Sequence, residues 1–395
     1  MIEQTHKTDV EQQSAALRDL YRELAEASIV SDERQGLTEN EARFAASQWT
    51  MMWRRFRRNK AAMIGGVVVL IYYVVALFGD FIAPYSLTTR FTQQIYLPPQ
   101  PIHLFDDGQF RPFVYGTATE FDANLRRVHV TTDEKIYLQF FAKGEPYKLF
   151  GLIETDIHLF QAPGGIVSVL GTDRQGRDMF SRIVLGSQIS LTIGLVGVAL
   201  SLVLGTILGI ASGYFGGLID EVIQRLIEIV RAFPTIPLWM ALSAAIPAGW
   251  SQEQTYFAIT IILSLIGWTW LARQLRGQVL SLRESDYVMA ARLAGASHSR
   301  IIFKHLVPAT LGQIIVVSTL ALPSMILAET ALSFLGLGLR PPTTSWGVLL
   351  QETQNLQSLA LYPWVMSPAI VIVVVILAFS FLGDGLRDAS DPYTI

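Results

Sequence analysis

Six apolar runs, at residues 61–82, 189–211, 225–246, 256–274, 309–332 and 361–382, constrain this chain more than any other feature. Each is close to the ~20 residues with which a helix crosses ~30 Å of hydrocarbon. Inside a bilayer no water is present to satisfy a free N–H or C=O, so a run of this length must close its hydrogen bonds within itself, as a helix. The spacing therefore predicts an all-α polytopic membrane protein with six transmembrane helices. Composition agrees, since 16% of the 395 residues are charged and 51% are hydrophobic, whereas a soluble domain carries about 25% charge. The chain has no cysteine, which excludes disulfides, thiol catalysis and Cys-based metal sites. A net charge of −3 gives no basic balance that would point to nucleic acid.

Charge distribution orients the runs. Arg54, Arg55, Arg57, Arg58 and Lys60 precede the first one, and residues 273–304 carry six Lys or Arg, whereas 247–255 carry none and 333–360 only Arg340. Basic residues are retained on the cytoplasmic side, so both termini are expected there. The loop at 212–224 offers only Asp220 and Glu221, and acids count little in this rule. Residues 1–50 hold ten acidic and five basic residues and no long apolar run, so no cleavable signal is expected. Thr38 and Glu41 form a capping-box pattern that predicts an amphipathic surface helix leading through Trp49 and Trp53. The expected organisation is a cytoplasmic region 1–60, a first helix 61–83, an extracytoplasmic insertion 84–186, a membrane core 187–384 and a cytoplasmic tail 385–395.

The insertion has a different texture. Pro98, Pro99 and Pro101 are followed by Asp107-Gly108, which lies between two apolar stretches, and by alternating segments at Arg127–Thr131 and Lys135–Phe141. An Asp-Gly pair suits a type I′ turn, which needs positive φ at both central residues. A mainly β insertion between helices 1 and 2 is predicted.

The segment 286–297, between the fourth and fifth runs, reads as a short helix, a glycine break and the start of a second helix. Ala290, Ala291, Leu293 and Ala294 give a closely approachable face, and Gly295 permits a turn. The pattern G-x-x-x-x-G-K-[ST] is absent, so any ATP-driven motion must come from another polypeptide docking on such a face. The spacing resembles the "EAA" loop of ABC importer permeases. Four further segments are similar to the oligopeptide/dipeptide/nickel permease family, "C" type subunit: Gly171-Thr172-Asp173 with Gly176-Arg177-Asp178 and Ser181-Arg182; Ser212 to Gly217 with Ala232-Phe233-Pro234; Ser333 to Gly338 with Ser345-Trp346-Gly347; and Leu382 to Pro392.

That resemblance implies a type I ABC importer permease fold and a bacterial inner-membrane location. It also implies a heterodimer with a second permease, two ATP-binding subunits and an extracytoplasmic substrate-binding protein. The chain would then be half of a pore for peptides or similar small solutes, with no catalytic residues and no cofactor of its own. Relatives also handle nickel, oligosaccharides and opine-like solutes. The coupling loop is expected within 275–308, with Tyr287, Ala290, Ala291, Arg292, Leu293, Gly295 and Ala296 meeting the ATPase. Met289 stands where the family places its glutamate, so shape rather than charge is expected to carry that contact. The insertion is longer than in short relatives, and it is expected to touch the binding protein or the partner permease.

Ionisable residues within apolar runs invite a functional reading. Glu228, Pro234 and Glu329 are the candidate pore or gate residues. Glu329 either lines the pore or holds the 333–338 segment, and Glu228 is spaced to pair with Arg231 at i,i+3. Asp384 reads as an anchor at the end of the sixth run. Gly194, Gly197, Gly205 and Gly209 predict two close-packing helix faces. The six histidines show no metal-ligand spacing; His103, His129 and His158 are expected on strand surfaces, and His298 and His305 at solvated helix positions. An intramembrane protease is disfavoured because Gly383-Asp384 lacks both the upstream glycine and a second intramembrane Asp. A secondary transporter or channel is the alternative reading, and it would require midspan ion sites.

Overall fold

The computed structural model describes residues 48–123, 127–247 and 249–390. The capping box at Thr38 and Glu41 lies outside these residues, as do the side chain of Trp49 and the last part of the tail. By packing, the chain divides after Arg55, within helix α1, Gln48–Arg58. Trp53 of that helix is exposed.

The first span is α2, Lys60–Leu77, whose N-terminus is capped by Asn59 Oδ1 accepting the Ala62 N–H at 3.1 Å. It stops short of the expected residue 82, because Phe78 leaves the helical region (φ −100°, ψ 21°) and a separate turn, α3 (Gly79–Ile82), follows. Two antiparallel sheets form the insertion. β1 (His103–Asp106), β2 (Gln109–Phe121) and β3 (Arg127–Tyr137) are ordered β1-β2-β3, and β4 (Gln139–Leu149) pairs with β5 (Ile153–Gln161). Asp107 and Gly108 have φ of 47° and 80°, the two positive values that the turn requires. The segments expected at 127–131 and 135–141 are divided differently. The first runs unbroken to Tyr137, and the strand boundary falls at Leu138, whose N–H bonds back to Pro112.

Helix α4, Met179–Phe215, is the second span. The third expected span is not one helix. It consists of α5 (Gly217–Ala232) and α6 (Thr235–Ala244), bent by 85° at the break. Pro234 has no N–H to give, and its ring drives Phe233 out of the helical region to φ −91°, ψ 139°. The fourth span is α7, Gln252–Leu282. Next come α8 (Asp286–Leu293), α9 (His298–Ile301), a π-helical turn at Ile302–Leu306 and α10 (Val307–Phe334), the fifth span. Short helices α11 (Trp346–Leu350) and α12 (Leu356–Leu361) lead to α13, Ser367–Ser390. The sixth span thus starts later than the expected residue 361, behind Pro363 and with Pro368 in its first turn, and runs past 382. Among the described residues five helices are long and apolar enough to cross a membrane, or six if the bent pair counts as one. The protein is a polytopic, mostly helical membrane protein with a β insertion between its first two spans.

Helix α4 holds the bundle together through its two glycine faces. A Cβ on Gly194 or Gly197 would lie 3.1 Å from Ile326 Cγ1 or 3.2 Å from Met325, both on α10. On the other half of the helix, a Cβ on Gly205 or Gly209 would lie 2.9 Å from Leu271 Cβ or 2.7 Å from the Ala272 carbonyl oxygen, both on α7. Lipid tails are as apolar as leucine, so helices associate here by dispersion at close range rather than by escape from water.

The entry to α4 is a buried polar knot built from the 171–182 segment. Asp173 is fully buried; its Oδ2 receives Arg177 Nε at 2.7 Å and Arg182 Nη1, and its Oδ1 accepts the N–H groups of Gln175 and Arg177. Asp178 caps the helix, accepting the N–H and the hydroxyl of Ser181, each at 2.7 Å, and the hydroxyl of Ser168 at 2.8 Å. Burial pushes the Asp178 carboxyl above the usual range, against the pull of these bonds. Trp364 Nε1 donates to the Thr172 carbonyl at 3.0 Å, tying the start of the sixth span to the same knot.

Two outcomes are expected in detergent. Gly209→Leu overpacks the α4–α7 contact and lowers stability by ~1–3 kcal/mol, read as a fall in thermal midpoint, whereas Ile207→Leu, at an exposed position, leaves it unchanged. Asp173→Asn leaves two buried guanidinium groups without their counter-charge and costs ~3–5 kcal/mol; an unaltered midpoint would mean that the knot does not hold α4.

Candidate functional site

The segment 286–297 folds as a projecting knuckle. Helix α8 ends in a Schellman motif: Ala296 N–H bonds to the Ala291 carbonyl and Gly295 N–H to that of Arg292, each at 3.0 Å, with Gly295 at φ +77°. A Cβ at Gly295 would meet nothing within 4 Å, so the demand for glycine there comes from backbone conformation and not from space. Ser297 then caps α9 by accepting the Arg300 N–H. The surface so presented is apolar and open: Leu293 is 86% exposed, Tyr287 and Met289 are exposed, as are Ala290, Arg292, Ala294 and Gly295, while Ala291 and Ala296 are half-buried. The tip thus presents apolar side chains that are largely uncovered among the described residues.

The root of the knuckle is buried. Val288, Ile301 and Leu306 pack with Ile210 and Tyr214 at the end of α4 and with Val279 at the end of α7. Two polar ties reinforce this junction. Arg276 of α7 makes a two-pronged ion pair with Asp220 of α5, Nε to Oδ1 and Nη2 to Oδ2, both at 2.6 Å, while Ser212 Oγ donates to the same carboxylate. His298 Nδ1 lies 2.9 Å from the Tyr214 hydroxyl, so His298, expected as merely solvated, ties the second helix of the knuckle to α4. Sequence reasoning left Asp220 without a partner because Arg276 is 56 residues away. The only available signal was a pair of acids, Asp220 and Glu221, opposite a loop rich in Lys and Arg.

The three pore or gate candidates fall apart in space and role. Glu228 is exposed and pairs with Arg225 at 2.9 Å, not with Arg231. The guanidinium of Arg231 instead lies over the Trp270 ring at 5.6 Å, where the ring face attracts it. Pro234 is the break between α5 and α6. Glu329 is completely buried. Its Oε1 accepts the hydroxyls of Ser333 and Ser345, both at 2.7 Å, and Ser333 Oγ in turn accepts the Leu339 N–H, so this carboxyl clasps the 333–345 segment. His158 also departs from expectation. It is buried, with both ring nitrogens on backbone carbonyls, because β5 turns it toward residues 83–84 instead of solvent.

A cavity of about 300 Å³ opens between α4, α6, α7 and α10. Its walls include Ser201, Trp239, Trp270, Ser318, Ser324 and Met325, and among the described residues no ionisable side chain lines it. Trp239 Nε1 and Ser318 Oγ are buried without a hydrogen-bond partner. Neither residue stood out in the sequence, since an indole and a hydroxyl inside apolar runs read as packing.

Comparison with known proteins bears on the whole chain. Residues 201–394 match the family model described as binding-protein-dependent transport system inner membrane component, and residues 47–99 match the N-terminal TM domain of oligopeptide transport permease C. The dipeptide transport system permease protein DppC of Lactococcus lactis subsp. cremoris (strain MG1363) is 35% identical over 92% of this chain and 96% of that protein. The oligopeptide transport system permease protein OppC of Bacillus subtilis (strain 168) is 31% identical over 90% and 93%. Among solved structures, a chain of the MetNI methionine ABC transporter in inward facing conformations is 18% identical, with a TM-score of 0.43 over 54% of this chain and 98% of that one. The resemblance read from the motifs holds along almost the full length of these permeases, and the chain belongs to the family of inner membrane components of binding-protein-dependent transport systems.

Proposed function

We propose that this permease forms half of the translocation pore of an ATP-driven importer for peptides and is driven through the knuckle at 286–297 by separate ATP-hydrolysing subunits. The observation that carries this is the exposed tip at Leu293, Tyr287 and Gly295, set on a buried root that joins the ends of α4 and α7. A force applied at the tip reaches two membrane-crossing helices through packed side chains and the Arg276–Asp220 pair, rather than through a free loop. Rigid rotation of such packed elements is the ordinary route to alternating access. The second half of the pore would be a related permease. An extracytoplasmic binding protein would deliver the solute to the side carrying residues 86–166, and the described termini at 48 and 390 would face the cytoplasm of a bacterium. Among the pore or gate candidates, Pro234 would serve as the bend beside the cavity, and Glu329 as a clasp rather than a lining group.

Peptide is favoured by the names of the relatives and by the chemistry of the cavity. Its apolar walls, with no ionisable side chain among the described residues that line them, suit solutes with side chains of varied kind.

Two measurements test the coupling. In the reconstituted complex, Leu293→Asp places a charge at the centre of the contact; loss of a central anchor is worth ≥ ~2 kcal/mol, so ATP-dependent uptake is expected to fall by roughly 30-fold while membrane insertion is retained. Gly295→Val, which forces a branched residue to positive φ, is expected to act in the same direction. Undiminished uptake in both variants would refute the role of the knuckle. Because the chain lacks cysteine, a single Leu293→Cys can be labelled with a membrane-impermeant maleimide. The label is expected only from the cytoplasmic side, and reaction from the opposite side would reverse the orientation.

A further inference from the structure

The β4–β5 hairpin lies along α3, and the way it is fastened gives it a direction. At its open end Gln161 Nε2 donates to the Pro84 carbonyl, and the buried His158 ring sets Nδ1 2.7 Å from the Ala83 carbonyl oxygen and Nε2 2.9 Å from that of Glu145. Midway along the hairpin the Glu145 carboxylate accepts the Ser86 N–H at 3.2 Å and the Thr89 hydroxyl at 2.6 Å. At its closed end the Phe150 ring meets Phe78 edge-on, with centroids 5.5 Å apart. Residues 78 to 89 follow the last residue of span α2 in that order. The turn of the hairpin therefore sits beside the end of the span.

That turn is apolar and bare. Leu152 is 84% exposed, and Phe150 and Ile153 are exposed beside it. Further up the hairpin Phe141 is 68% exposed, near Phe81 with ring centroids 6.0 Å apart. The lipid face of α2 is exposed in the same way up to Leu77 and Phe78. Through the Phe78–Phe150 contact the apolar surface continues from the span onto the hairpin turn without interruption. Charges stand just behind the turn: Lys148 pairs with Glu154 at 3.2 Å, and Lys143 with Asp156 at 3.1 Å. A lysine placed there can lay its stem on apolar surface while its ammonium stays among headgroups.

We propose that the β4–β5 turn is a lipid-dipping anchor, with Phe150, Leu152 and Ile153 entering the boundary between headgroups and acyl chains next to α2. This surface is continuous with one the bilayer already covers, and that selects lipid as its occupant. A soluble protein reaching the same turn would have to displace the lipid around the end of the span. Apolar groups at such a boundary sit ~5–10 Å deep. The anchor would hold the insertion against the membrane at one edge and leave the β1–β3 sheet free for other contacts.

The test uses the full-length chain in phosphatidylcholine vesicles, with a single Leu152→Cys carrying an environment-sensitive NBD label. Leu152 makes little packing contact, so the fold survives the change, and Ile153→Cys repeats the measurement at a second position. The label is expected to emit at shorter wavelength than one at Asp133→Cys on β3. It is also expected to lose most of its emission when the phosphatidylcholine is brominated on its upper acyl carbons. Emission at both 152 and 153 that is untouched by bromolipid and freely quenched by aqueous iodide would overturn the proposal. So would shielding that develops only when the binding protein is added, because the turn would then be a protein-docking site.

Discussion

The close approach of α4 to α7 and α10 is the contact on which the remaining architecture depends. In a bilayer no hydrophobic effect draws one apolar helix to another, so the bundle relies on dispersion, which fades within an ångström of misfit. Glycines at 194, 197, 205 and 209 remove the side chains that would hold the backbones apart. With α4 fixed to a neighbour along both halves, its two ends become defined points at which polar structure can be attached. The buried knot of Asp173, Arg177, Arg182 and Asp178 occupies one end, and the Asp220–Arg276 pair with the Tyr214–His298 contact occupies the other. Charge is concentrated where the helices leave the apolar zone, and the middle of the bundle is left to shape.

Much of this was legible in the sequence because the governing periodicities are local. Runs of ~20 apolar residues, an Asp-Gly pair between apolar stretches, and a glycine after a short alanine-rich helix each carry their own physical demand. The Asp107-Gly108 turn and the Gly295 break stand where expected, and five of the six runs are single helices, the first and sixth with shifted ends. What escaped was whatever depends on a distant residue or on a single backbone geometry. The third span was taken as one helix because its composition is continuous, although Pro234 imposes a bend of 85° that hydropathy does not register. Glu228 was assigned to Arg231 by spacing, but Arg225 satisfies the same i,i+3 rule, and Arg231 had a ring to lie over.

The candidate site was legible in the same uneven way. The tip of the knuckle could be read residue by residue, since exposure of Leu293 and the turn at Gly295 follow from the local pattern. Its root could not. Val288, Ile210 and Val279 meet only after three helices have packed, and nothing in an isoleucine at 210 announces that it will brace position 288. Glu329 was recognisable as costly inside an apolar run, but its role turned on Ser345, 16 residues ahead in a segment without regular structure. One oxygen of this buried carboxyl takes two hydroxyls and so ties down the connection between α10 and α11, while Oε2 has no hydrogen-bond partner among the described residues.

The absence of ionisable groups from the cavity bears on what can pass through a pore built with this half. A fixed charge in a low-dielectric passage would bind oppositely charged solutes tightly and repel others, so it would select by charge and slow release. Walls of aliphatic and aromatic carbon with a few hydroxyl and indole groups make no such distinction. If the cavity belongs to the pore of the proposed peptide importer, whose solutes differ in side-chain charge but share a backbone, its uncharged walls would leave a choice made outside the membrane standing.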